Sequence, residues 1–154
     1  MLTKTVSDFL KTREFVSVAT CDLKGRPNAA PKMILKIESN YIYLVDYTFG
    51  RSFENLKINP RVSISLTNNE SLKSYQVNGS VELIESGPAY EKIAPELVEK
   101  QISLSTDRII KGLSTGKHHE NFEVAIPEKF VIFKVKIEEA VEMDYGGGIK
   151  REKA

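Results

Sequence analysis

The chain has 154 residues, 41% of them hydrophobic and 28% charged, and its 22 basic and 21 acidic side chains leave a net charge of +1. That length suits one domain with a core that needs no staples, and the balanced charge excludes a general pull toward nucleic acid or an anionic membrane. A single cysteine, Cys21, excludes an internal disulfide and most cysteine metal sites and points to a reducing cytoplasm; no apolar run approaches the roughly 20 residues of a membrane span, and the first dozen residues lack a signal-peptide core.

In chain order, Val6, Phe9 and Leu10 share one face of a short N-terminal helix. Phe15 to Thr20 reads as a first strand, followed by the turn Asp22-Leu23-Lys24-Gly25-Arg26-Pro27, in which Gly25 is free to take positive φ. A second strand runs from Asn28 to Ile37 and a third from Tyr41 to Tyr47, with Glu38-Ser39-Asn40 as the hairpin between them. A glycine turn at Gly50 leads to an Arg51-Ser52 pair that opens a short helix, which Asn59-Pro60 stops.

Arg61 to Thr67 is a fourth strand, with Val62, Ile64 and Leu66 facing one way and Ser63, Ser65 and Thr67 the other. The fifth, Lys73 to Glu85, turns Tyr75, Val77, Val81 and Leu83 inward together with Gly79, which suits a bend or a close backbone contact. A helical insert covers Pro88 to Gly116; Pro95 is expected to start a new helix or kink one, and Thr106 to Lys111 reads as a capped helix ended by Gly112. A last strand runs from Phe130 to Glu142. Beyond residue 145, Gly146-Gly147-Gly148 and the basic segment Ile149 to Ala154 read as a flexible tail, or as a segment folded over a subunit interface. About six strands in antiparallel succession, with short helices in the connections, predict a mainly β fold and a small closed or nearly closed antiparallel barrel.

Two places draw attention as ligand sites. Pro31 interrupts the second strand and cannot donate to a ladder, so that stretch is an edge, a bulge or a docking place for something else. The Arg51-Ser52 helix start offers free amides, the positive end of a helix dipole, a cation and a hydroxyl, the makings of a phosphate site. Ser52 as a plain N-cap and Arg51 as a solvated charge are the simpler alternatives. His118-His119 reads as a surface loop and not a metal site, because no third or fourth ligand stands at a standard spacing. Cys21 reads as inert packing.

Taken together, Ala19-Thr20, Gly25 to Pro31, Tyr41 to Leu44, the run Ser52-Phe53-Glu54-Asn55-Leu56-Lys57-Ile58-Asn59-Pro60-Arg61-Val62, Gly79 to Glu82 and Phe130 to Val135 resemble the pyridoxamine 5'-phosphate oxidase-like, FMN-binding split-barrel family. The resemblance spans residues 5 to 145. It implies a six-stranded antiparallel split β-barrel of Greek-key type over residues 1–145, with a flexible tail over 146–154. It further implies a cytoplasmic homodimer with FMN at the subunit interface, and a flavin oxidoreductase acting on a small-molecule redox substrate. By the same resemblance Arg51 and Ser52 hold the FMN phosphate, while Ala30, Pro31, Lys32 and Met33, then Asp46, Tyr47 and Thr48, neighbour the ring and ribityl chain. Asn55 braces the helix. No catalytic acid or base is indicated; a non-catalytic flavin carrier or sensor would share the pocket, and related split barrels also take a deazaflavin or haem. The chain departs from the family in having Phe53 and Glu54 where many members place a second cation. It also has no Trp and lacks the Arg- and Trp-bearing C-terminal segment tied to vitamin B6 oxidation.

Overall fold

The computed structural model describes residues 2–116 and 128–154, so His118 and His119 lie outside the described residues. Seven strands form one antiparallel sheet: β1 (Phe15–Cys21), β2 (Pro27–Glu38), β3 (Tyr41–Asp46), β4 (Arg61–Asn68), β5 (Lys73–Ile84), β6 (Val131–Met143) and β7 (Ile149–Lys153). Helices α1 (Leu2–Leu10), α2 (Arg51–Ile58) and α3 (Gly87–Thr115) complete the described elements. The strand order is β3-β2-β1-β4-β5-β6-β7, and β3 also pairs with β6, which closes the first six strands into a barrel. The chain divides into two compact units, residues 1–84 with 130–154 and residues 85–129; the first unit carries the barrel.

The barrel follows from strict alternation. Val16 and Val18 on β1, Ile64 on β4, Val77 on β5 and Phe133 and Val135 on β6 all point inward and are buried. Helix α1 adds Val6 and Leu10 to this core, and its Phe9 ring lies 5.3 Å from Tyr75. Burial of each such side chain contributes about 1.5–3 kcal/mol. In β5 a bulge falls between Asn78 and Gly79, and the space a Cβ would take at Gly79 is filled by the Lys136 backbone carbonyl. The close backbone contact expected of that glycine is therefore present.

The β1–β2 turn is organised by one carboxylate. Asp22 Oδ1 accepts from the amides of Lys24 (2.8 Å) and Arg26 (2.9 Å), and Oδ2 accepts from Arg26 Nε at 2.6 Å, while Gly25 takes φ +78°. The Arg26 amide and guanidinium hold the Asp22 carboxyl below its ordinary 3.8. A depressed folded-state value stabilises above the unfolded value and is lost as pH falls through the folded one. The gap in denaturation midpoint between wild type and Asp22→Asn should thus be full at pH 7 and close as pH drops below 3.8. A gap that does not change with pH would remove the carboxylate's charge from the account.

Two expectations change. The segment after residue 145 is not a loose tail: Ile149–Lys153 pairs with Glu139–Met143 of β6. The reason is an unfilled edge. β3 covers β6 only over Val131–Lys136, so the rest of that edge would be left with open backbone groups, and β7 takes them. The helical insert is also one continuous helix. Pro95 and Gly112 lie inside α3, which stops at Gly116 with φ +67°. Thr106 misleads as a cap because its hydroxyl donates back to the Ile102 carbonyl at 2.8 Å. Among the described residues no helix is long and apolar enough to cross a membrane.

Candidate functional site

β3 and β4 are consecutive in the chain but are separated in the sheet by β2 and β1. The connection must cross the ends of those two strands, and α2 is that crossing. Its Phe53 and Leu56 enter the core. Three side-chain amides tie it down: Asn28 Nδ2 donates to Ser52 Oγ (3.0 Å), Asn55 Nδ2 to Thr20 Oγ1 (3.1 Å), and Asn59 Nδ2 to the Cys21 carbonyl (3.1 Å). Asn55 thus braces α2 against β1. At its start Gly50 provides no side-chain cap, and the first ladder bond runs from the Glu54 amide to the Gly50 carbonyl. The amides of Arg51, Ser52 and Phe53 come before that bond and point out of the helix end.

Beside this helix end lies an open strand edge. The Ile34 amide donates to the Glu14 carbonyl at 2.8 Å, so even-numbered residues of β2 turn their backbone groups toward β1. Ala29 and Pro31 turn theirs to the other side. β3 meets β2 only from Met33 onward, so that side is unpaired over residues 27–32. Pro31 stands where no ladder bond is required, which is why the strand tolerates it. The Asn28–Ser52 bond joins this free edge to the first turn of α2.

At the upper end of the gap lies a buried ion pair. Lys32 Nζ donates to Asp46 Oδ1 at 2.8 Å, with the two side chains 6% and 1% exposed. Thr48 donates to the same oxygen twice, from Oγ1 at 2.8 Å and from its amide at 3.3 Å. Asp46 Oδ2 is buried and accepts no hydrogen bond. The turn that follows is constrained: Phe49 takes φ +49°, the left-handed region, and its ring packs edge-on against Phe53 at 5.2 Å.

The sequence-predicted residues therefore fall into groups. Lys32, Asp46 and Thr48 form one hydrogen-bonded cluster. Ala30 is half-buried and Pro31 exposed on the β2 edge, with Met33 buried where β3 begins to pair. Tyr47 is half-buried. Arg51 is exposed at the helix start, whereas Ser52 is buried with its hydroxyl already taken by Asn28. Asn28, Thr20 and Asn59 were not among the predicted site residues. The signal for Asn28 is its inward parity on β2, opposite buried Thr20 on β1.

On the outer face, a shallow cleft of about 330 Å³ runs against Ala29, Ala30 and Pro31, with Phe15 and Ser65 on its walls. At its rim Arg13 donates to the Thr67 carbonyl at 2.7 Å. Ser17, Ala29, Pro31 and Ser65 along it are small, uncharged and exposed, and Phe15 on its wall is 53% exposed.

A family model described as "Pyridoxamine 5'-phosphate oxidase" matches residues 2–144. Among curated proteins, the heme oxygenase HutZ of Vibrio cholerae is 30% identical over 66 residues, which is 43% of this chain and 37% of that protein. Among solved structures, the Clostridium acetobutylicum protein related to general stress protein 26 superposes with a TM-score of 0.65 at 15% identity, covering 99% of this chain and 94% of the other. A pyridoxamine 5'-phosphate oxidase-related, FMN-binding protein of Nostoc punctiforme gives 0.59 at 11% identity, covering 99% and 93%.

Proposed function

Since the chain belongs to the pyridoxamine 5'-phosphate oxidase family, we propose that it is an FMN-binding oxidoreductase whose cofactor lies in the gap between the free edge of β2 and the start of α2. The observation that carries this reading is the junction itself: uncapped helix amides with Arg51 beside them, tied through Ser52 and Asn28 to an unpaired strand edge. The helix end suits a phosphate. The unpaired edge at Ala29 to Pro31 suits the rim of a flat ring. Bound there, the flavin would supply one- or two-electron chemistry to a small-molecule redox substrate. The chain's own residues would hold the phosphate, orient the ring and limit its access to water. The shallow outer cleft around Ser17, Ala29 and Ser65, walled by the exposed Phe15 ring, suits a second copy of the chain, which would complete the pocket as a homodimer.

Purified protein mixed with FMN and desalted should keep the flavin absorption bands. Replacing Arg51 with alanine should weaken FMN binding roughly 10- to 100-fold, the effect of losing one charge-assisted hydrogen bond of about 1.5–3 kcal/mol. Undiminished affinity by fluorescence titration would move the phosphate elsewhere. Reduction of the bound flavin by NADH or NADPH, with transfer to an acceptor, separates an enzyme from a flavin carrier or sensor.

A second reading is haem in the same gap. Two observations favour it: a curated relative is a heme oxygenase, and among the described residues Arg51 is the one exposed cation in the first turn of α2, Ser52 being bonded to Asn28 and Lys57 lying 4.2 Å over the Phe53 ring. A Soret band on addition of hemin, with no flavin retained, would favour this reading over the first.

A further inference from the structure

We infer that Lys32, Asp46 and Thr48 are positioning residues, which hold the start of α2 in place for the cofactor without touching it. The inference rests on the reading that the α2 turn receives the FMN phosphate, and it reassigns three residues that the family resemblance treats as ring neighbours. Lys32 and Asp46 are more than nine-tenths buried and spend their charges on each other at 2.8 Å. An ammonium so placed has little surface left for a ligand. What the pair does present outward is Asp46 Oδ1, which takes both Thr48 donors and so fixes the chain two residues into the β3–α2 connection. The next residue, Phe49, sits at φ +49°, a conformation that an aromatic side chain keeps only where its surroundings impose it. Imposed from one side by Thr48 and from the other by the Phe49–Phe53 ring contact, it sets the direction in which Gly50 and the free amides of Arg51 and Ser52 leave the barrel. The turn is therefore arranged before the anion arrives, and the cost of arranging it is met by the fold.

The test compares FMN with riboflavin, which has the same ring and no phosphate. Wild-type protein should bind FMN more tightly. Phe49→Gly relieves the backbone constraint, so its denaturation midpoint should stay close to wild type while its FMN dissociation constant rises at least tenfold and that of riboflavin stays put. Thr48→Val, at an exposed position that leaves the buried pair intact, should narrow the FMN-to-riboflavin ratio in the same direction. A ratio preserved in both variants overturns the inference, as does a parallel loss of both ligands, which would mean that these residues contact the ring. Wild-type protein that holds neither flavin, or both equally, overturns the phosphate reading and the inference with it, and it does so before any variant is made.

Discussion

Replacement of Lys32 by methionine is expected to destabilise the barrel by about 3–5 kcal/mol. The methionine fills much the same volume, so the loss comes from Asp46. That carboxylate is 1% exposed and would keep two neutral donors from Thr48 but lose its ammonium partner. A charge stranded in a poorly polarisable interior costs far more than an exposed one, because neither water nor salt screens it. The expected result is a large drop in the urea midpoint at unchanged slope. The double variant Lys32→Met with Asp46→Leu should recover most of the drop, since a well-packed apolar pair often replaces a buried ion pair without loss. If Lys32→Met left the midpoint unchanged, the ammonium and carboxylate could not be paired in solution. Full loss in the double variant would assign the effect to packing.

The second large effect is expected at Gly79. An alanine there would push its Cβ into the Lys136 carbonyl, which is backbone held in the β5–β6 ladder and cannot swing aside as a side chain could. Either the bulge opens or the strands part, and overpacking of this kind costs about 1–3 kcal/mol or more. For a chain of this size that is a fall of roughly 3–10 °C in melting midpoint. An unchanged melting midpoint would mean that β5 and β6 stand further apart at this point than the register requires.

The legibility of the fold differs sharply between elements. Six strands and α2 were readable because each carries its signal locally: alternation in β4 and β6, Gly25 in the β1–β2 turn, Asn59-Pro60 after α2. The anion-favouring helix start was readable for the same reason, since Gly50, Arg51 and Ser52 are neighbours in sequence. The fate of Lys32 was not. On paper it is an inward lysine in a strand beside a proline; its partner Asp46 lies 14 residues on, and the two meet only through the β2–β3 register, which slips at a bulge between Ile34 and Lys36. Ser52 is similar. Its hydroxyl looks like a free cap until Asn28, 24 residues earlier, is placed against it.

The C-terminal segment and α3 show the opposite failure, where a local signal was present and was overridden. Three glycines and a basic run look mobile, yet the β6 edge beyond Lys136 has unpaired backbone groups, and pairing with Ile149–Lys153 satisfies them. Pro95 removes one helical hydrogen bond from α3, and the helix continues through it to Gly116.

For this protein, then, the amino-acid order by itself determined which faces are apolar, where turns can form and where a helix exposes free amides. These depend on side-chain period and on single-residue backbone preferences, which act over a few residues. Tertiary structure decided which strands meet, that β3 closes on β6, that Lys32 is consumed by Asp46, and that Asn28 ties the open β2 edge to α2. Those outcomes depend on register between distant segments, where a shift of one residue turns every side chain to the other face.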